Sequence, residues 1–263
     1  MNILLTNDDG IHSEGINAVY SEFSQKHAVY VIAPESERSA CSNAITVRAE
    51  LSIKRIAQNK FSVGGFPADC VIIGLSGDII PDVDLIISGI NHGPNVGDDC
   101  IFSGTVAAAR TAYIFGKAAV AISINCYKRA SRYVNDAARF LIDFVDEMTP
   151  EIIDVSKRTR ANSNGDLPAG LFFNINYPDL PPEGIKGKMY TSVGRRIYRD
   201  SFQKTTFESN EATVRMGGYI ESIFFDGTDT TELEKGYITI SPLMTDCTDY
   251  SYLKKISQGL LHG

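Results

Sequence analysis

Two adjacent carboxylates, Asp8 and Asp9, end a short apolar run and precede Gly10. Side by side they repel one another, and a hard divalent cation relieves that repulsion. Carboxylate, hydroxyl, amide oxygen and water together suit magnesium or manganese. Asp8, Asp9, Ser39 and Asn91 supply those ligand types. A plainer reading of Asp8, Asp9 and Gly10 is a turn, with Asp8 capping the next helix. Ser103, Gly104 and Thr105 also carry two readings. A serine before a helix is an N-cap. A helix start with free N–H groups and a positive dipole end is a phosphate cradle. The two are compatible.

Other reactive side chains lie close by in sequence. His12 and His92 sit within polar clusters, where each is an acid–base group, a ligand for a softer metal or a loop residue without either role. Asp98 and Asp99 form a second acidic pair, read as solvated loop charge ahead of a metal role. Nothing beside Cys41 or Cys100 marks a nucleophile. No GxGxxG or GxxxxGK[ST] pattern occurs, so dinucleotide and P-loop readings lack support.

These clusters need strands and helices to hold them. Apolar runs at 2–6, 28–33, 85–90, 118–124 and 171–175 read as strands. Segments at 15–25, 67–75, 104–115 and 131–147 read as helices, with Pro67 in a first turn. Strands alternating with helices imply a mostly parallel sheet covered on both faces. Residues 46–63 interrupt the alternation as a β-hairpin insertion. Residues 162–168 are polar with Gly and Pro and read as a loop. Short β-like runs within 184–241, such as 218–225 and 237–241, read as an extended β appendage. In an open parallel sheet ligands bind beyond the carboxyl ends of the strands. The clusters 7–10, 35–43 and 88–95 follow strands at that edge, and 103–105 opens a helix.

The chain has 263 residues, 43% of them hydrophobic and 22% charged, enough for one large α/β domain with a buried core. Its net charge of -7 argues against a nucleic-acid polymer as partner, since a phosphate backbone calls for a basic surface. A small phosphorylated substrate stays open because a metal ion supplies positive charge locally. No run is long and apolar enough to span a bilayer. The five scattered cysteines fit reduced thiols, and no basic leader is evident, so the expected location is cytoplasmic.

Taken in order, the clusters resemble the SurE family of stationary-phase survival proteins. The matching text is ILLTNDDGI at 3–11, APESERSACSNAIT at 33–46, GFPADC at 65–70 and SGINHGPNVGDDCIFSGTVAAAR at 88–110, with GYITISPL at 236–243 like the family's late strand. The resemblance is dense in the first half and thin in the second. It implies one SurE-like α/β domain over 1–263, a Rossmann-like three-layer sandwich with a C-terminal β-hairpin appendage. The appendage, within 184–241, would serve oligomerisation as an exchanged arm, in a homodimer or homotetramer. The resemblance implies one divalent metal per subunit at Asp8, Asp9, Ser39 and Asn91, and phosphate held by Asn95, Ser103, Gly104 and Thr105. The implied activity is that of a metal-dependent 5'-nucleotidase acting on nucleoside monophosphates, with 3'-monophosphates and short polyphosphates as further substrates. Asp8 is the expected catalytic group, orienting or deprotonating the nucleophile or forming an aspartyl-phosphate. Two departures stand out: Phe66 where the family usually has Thr, and Ala40 where it commonly has Gly. Both bear on substrate preference more than on activity. The rivals are a non-catalytic nucleotide sensor using the same site and a metal-dependent glycosyltransferase-like enzyme that would release a nucleoside diphosphate.

Overall fold

The alternating runs build a nine-stranded sheet in the computed structural model, which describes residues 1–76, 78–127, 131–161, 170–204 and 212–257. β1 (Asn2–Thr6) leads through α1 (Glu14–Phe23) to β2 (Ala28–Pro34). β3 (Ile53–Ala57) and β4 (Lys60–Val63) form an antiparallel hairpin at one edge, with β4 parallel to β2. Then come α2 (Pro67–Ser76), β5 (Leu85–His92), the short α3 (Asp99–Phe102), α4 (Gly104–Ile114) and β6 (Ala118–Asn125). α5 (Val134–Glu147) and α6 (Thr149–Ala161) precede β7 (Phe172–Pro178). The remainder holds β8 (Lys188–Tyr190), β9 (Arg195–Lys204), β10 (Val214–Ile223), α7 (Asp229–Glu234), β11 (Ile238–Pro242) and α8 (Tyr250–Ser257).

The sheet order is β3-β4-β2-β1-β5-β6-β7-β11-β8. β4, β2, β1, β5, β6 and β7 run parallel, and β11 is antiparallel to β7. The chain turns outward in both directions from β1, with β2 on one side and β5 on the other. That reversal opens a crevice at the carboxyl ends of β1 and β5. Side chains alternate between the sheet faces, as strand geometry requires. Ile3, Leu5 and Ile87 join the core under α1 and α5, with Phe23, Leu141 and Phe144. Leu4 and Ile86 join the opposite core under α2 and α4, with Val71, Val106, Ala108 and Ala112. The alanines of α4 keep that helix close to the sheet.

Several expectations are refined. The α6 helix was not anticipated, because Pro150 reads as a break; it occupies the first turn, where its missing N–H costs nothing. Of the span 184–241, only β9 and β10 stand apart, as a two-stranded antiparallel hairpin. β8 and β11 join the main sheet, and α7 lies between β10 and β11. Short β-like runs show period but not partner, so their register stays open in the sequence. The polar stretch 162–168 lies outside the described residues.

Gly15 fixes how closely α1 approaches the sheet below the crevice. A Cβ there would fall 1.9 Å from the Ile90 carbonyl oxygen, a backbone atom that cannot swing aside. Gly15→Ala is expected to destabilise the protein by about 1–3 kcal/mol through overpacking. Thermal denaturation measures this, and an unchanged Tm would contradict the close approach.

Candidate active site at the β1–β5 crevice

The loop after β1 is shaped by its own polar groups. Asn7 Nδ2 donates to the Gly10 carbonyl at 2.9 Å and to Ser13 Oγ at 2.7 Å, closing the turn. The loop after β2 is pinned against it, since the Arg38 amide donates to the Asp8 carbonyl at 2.7 Å. Gly10 has φ +96°, and a Cβ there would come within 3.3 Å of the Ser36 backbone. The first two polar clusters are thereby held together.

Asp8 is only 3% exposed. Burial pushes its carboxyl up to about 6, opposed by the hydroxyl of Thr105 and assisted by the charge of Asp9. Thr105 Oγ1 donates to Asp8 Oδ1. Asp9 is also pushed up to about 6 by burial, with Glu37 adding like-charge repulsion and the His92 backbone amide easing it. Asp9 Oδ2 is buried with no hydrogen-bond partner. The His92 amide ties Asp9 to the end of β5 and so to the third cluster.

Asn91 reaches this edge through a bulge. The β5–β6 register jumps between Ser88 and Asn91, inserting an extra residue into β5 and re-aiming those that follow. Asn91 Nδ2 donates to the Gly93 carbonyl at 2.7 Å, which leaves its oxygen as the atom suited to a cation. Ser39 is exposed, and its hydroxyl donates to Glu37 Oε1 at 2.8 Å. Ser39, Asp9, Glu37 and His92 line one cleft of about 350 Å³. The Nδ1 of His92 is buried there without a partner. Among the described residues, no three His, Cys, Asp or Glu side chains gather as a metal site. Of the four expected donors, the carboxylate of Asp9 and the hydroxyl of Ser39 line this cleft.

The helix start of α4 adjoins Asp8. Ser103 Oγ accepts from the Val106 amide at 3.1 Å, so the capping reading holds, while its hydroxyl proton stays available to a ligand. Gly104 leaves room that no other residue would: a Cβ there would lie 2.7 Å from Cys41 Sγ and 3.0 Å from Asp8 Oδ2. Thr105 is fully buried with its hydroxyl on Asp8. Asn95 is held differently. Its Nδ2 donates to Ser123 Oγ at 2.8 Å, its backbone amide donates to Asn176 Oδ1 at 2.8 Å, and its carbonyl accepts from Asn174 Nδ2 at 2.7 Å. One N–H of the Asn95 amide remains for a ligand.

The pair Asp98 and Asp99 is neither solvated loop charge nor part of the cleft that Asp9 lines. Asp99 is buried, pairs with the Arg196 guanidinium and accepts from the Tyr198 hydroxyl. Asp98 accepts from Arg195 Nε at 3.1 Å and from the Arg196 amide at 2.8 Å. Asp229, also buried, accepts from the amides of Gly194 at 2.7 Å and Gly97 at 3.1 Å. Together they fasten β9 over the loop that carries Asn95. Asp229, Arg196, Asn174 and Asn176 went unread in the sequence; only the polar alternation in β7, Asn174 and Asn176 around Ile175, hinted at them.

The departures also find places. Ala40 has φ +54°, the left-handed region where glycine is at ease. The Phe66 ring lies 5.7 Å under the Arg38 guanidinium, bracing the loop after β2. Burial pushes the Cys41 thiol up to about 11, which argues against a reactive thiolate.

The family described as Survival protein SurE matches residues 3–200. A protein named 5'-nucleotidase SurE from Leptospira interrogans is 36% identical over 261 residues, covering 99% of this chain and 98% of that protein. One of the same name from Clostridium botulinum is 34% identical over 263 residues, covering 98% of each. The crystal structure of SurE from Aquifex aeolicus matches with a TM-score of 0.76 at 29% identity, over 99% of this chain and all of that one. By sequence along most of its length and by fold, the chain belongs to the SurE family.

Proposed function

We propose that the chain is a metal-dependent phosphomonoesterase that converts nucleoside 5'-monophosphates to nucleoside and inorganic phosphate. One observation carries this reading: an adjacent carboxylate pair, Asp8 buried and Asp9 half-buried, stands against the helix start at Gly104 by the strand switch point. The names of the relatives, 5'-nucleotidases, support it. 3'-Monophosphates and short polyphosphates are further substrates within the same proposal.

The donors fit a hard divalent cation. All are oxygens, two are carboxylates, and Asp9 Oδ2 is buried without a partner. Asp8, Asp9, Ser39 and Asn91 would hold one magnesium or manganese ion. Such an ion supplies Lewis-acid polarisation of a phosphoryl oxygen and acidifies water. The chain's own groups then do the following work. Asp8, steadied by Thr105, orients or deprotonates an attacking water, or is itself the nucleophile. The Ser103 hydroxyl, the free N–H of Asn95 and the amides that open α4 face the charge that builds on the equatorial oxygens. Gly104 lets the phosphoryl group approach without meeting a Cβ. The leaving group is the nucleoside hydroxyl.

The direct test is phosphate release from a nucleoside monophosphate with manganese, repeated with chelator. Release that chelation abolishes and added metal restores is expected. Binding without turnover would point to a nucleotide sensor, and a nucleoside diphosphate freed from a sugar nucleotide would point to a transferase.

Asp9→Asn removes one negative charge from the proposed cation's ligands and is expected to weaken manganese binding, with activity partly recovered at higher manganese; undiminished activity at limiting metal would argue against Asp9 as a ligand. Thr105→Val removes a hydrogen bond to a charged group, worth about 1.5–3 kcal/mol, so kcat should fall roughly ten- to hundredfold. Thr105→Ser should restore it. A Thr105→Val enzyme with normal kcat and a lowered Tm would leave Thr105 a purely structural residue. The exposed β9–β10 hairpin is proposed to join subunits in a homodimer or homotetramer, and a concentration-independent monomer mass by light scattering would refute that.

A further inference from the structure

β6 and β7 lie side by side, with Ala119 opposite Phe172, Ala121 opposite Asn174 and Ser123 opposite Asn176. These alternate residues share one sheet face. It is the face under α4, because Ala119, Ala121 and Phe172 belong to that core. The intervening Val120, Ile122 and Ile175 belong to the opposite core. Toward the carboxyl ends of the strands the α4 face turns polar. Asn174, Ser123 and Asn176 are all 0% exposed. Burying hydroxyl and amide groups costs free energy unless they are hydrogen-bonded, and the same face is apolar a few residues earlier.

All three polar side chains turn to one residue, Asn95. Asn176 holds its backbone twice: Oδ1 accepts from the Asn95 amide at 2.8 Å, and Nδ2 donates to the Asn95 carbonyl at 3.1 Å. Asn174 Nδ2 donates to the same carbonyl at 2.7 Å. These bonds fix where Asn95 sits, yet they leave its side chain free to turn. Ser123 acts on the side chain. Its Oγ accepts from Asn95 Nδ2 at 2.8 Å. An amide nitrogen is planar, so tethering one of its N–H groups sets the direction of the other.

We propose that Ser123 is a positioning residue for phosphoryl transfer, acting through Asn95. The inference rests on the phosphomonoesterase reading, with Asn95 as a phosphate contact, and deepens it. The Ser123 hydroxyl, buried on β6, touches no substrate. It aims the second N–H of Asn95 at the phosphoryl oxygens before substrate arrives. A donor oriented in advance works chiefly on charge that develops in the transition state.

The test is a double-mutant cycle on Ser123 and Asn95, read by steady-state kinetics with adenosine 5'-monophosphate and by thermal melting. Ser123→Ala should lower kcat about two- to tenfold, the range of one neutral hydrogen bond. KM should stay within about twofold, because the lost interaction belongs to the transition state. Ala121, two residues earlier on the same face, shows that alanine fits there. Ser123→Cys fills the same space with a poor acceptor and should show the same loss. Asn95→Ala should lower kcat roughly ten- to hundredfold, as loss of a bond to a charged group does. In the Asn95→Ala background, Ser123→Ala should cost no further activity, since its effect passes through the missing amide. A merely structural serine would lower Tm and leave kcat intact. Normal kcat in Ser123→Ala and Ser123→Cys, or the same fold loss on top of Asn95→Ala, would overturn the proposal while the phosphomonoesterase reading stands. Normal kcat in Asn95→Ala would also overturn it. No phosphate release from the unaltered enzyme would overturn both.

Discussion

Asp8 and Asp9 are neighbours in sequence at the end of a buried strand, Asp8 buried and Asp9 half-buried, and the fold gives them few donors in return. Asp8 has the Thr105 hydroxyl, and Asp9 has the His92 amide and one oxygen with no partner. Burying a charge without pairing it is costly, and a nearby like charge adds to the cost. Both carboxyls are accordingly driven up to about 6. Much of the surrounding architecture concentrates this tension. The Asn7 side chain closes the turn, the Arg38 amide clamps it, the β5 bulge brings Asn91 to the same edge, and Gly104 clears the space in front. Strain and unsatisfied polarity of this kind mark functional sites more often than structural ones. The proposed cation is the partner that the protein groups do not supply.

A second polar network acts at a distance from the carboxylate pair and has the opposite character. Asp99 is paired with the Arg196 guanidinium and accepts from the Tyr198 hydroxyl, and Asp229 collects the amides of two separate loops. A buried ion pair contributes little net stability, yet removing one partner strands the other, so such pairs specify geometry more than they add free energy. Here the geometry specified is the seat of β9 against the loop bearing Asn95. One network pairs its charges and fastens the hairpin; the other leaves a carboxylate oxygen of Asp9 unpartnered and faces the crevice.

The legible parts of the molecule were those written locally. β1, β2 and β5 are continuous apolar runs that end in polar clusters, and each cluster sits where its strand ends, so the crevice could be placed from order alone. The Ser103 cap was legible for the same reason, because capping reaches only three residues ahead. What escaped depends on partners far along the chain. Asn174 and Asn176 hold Asn95 from a strand roughly eighty residues later, and Asp229 meets Gly97 across 132 residues. The second acidic pair reads like its neighbour at Asp8 and Asp9, since composition cannot say that Arg196 will cover it. α6 was missed because Pro150 signals a break in general and is harmless in a first turn.

The most direct test concerns the carboxylate pair itself. Thermal melting of the substrate-free protein would be followed with chelator and with rising manganese, in the unaltered chain and in Asp8→Asn. Ligand binding to the folded state at one hundred times its Kd adds about 2.7 kcal/mol. Manganese should therefore raise the Tm of the unaltered chain. Asp8→Asn relieves the repulsion and should melt, metal-free, at the same temperature or higher, yet gain little from manganese. A Tm of the unaltered chain that manganese does not move, or an Asp8→Asn variant that gains as much as the unaltered chain, would contradict the assignment of a cation to this pair.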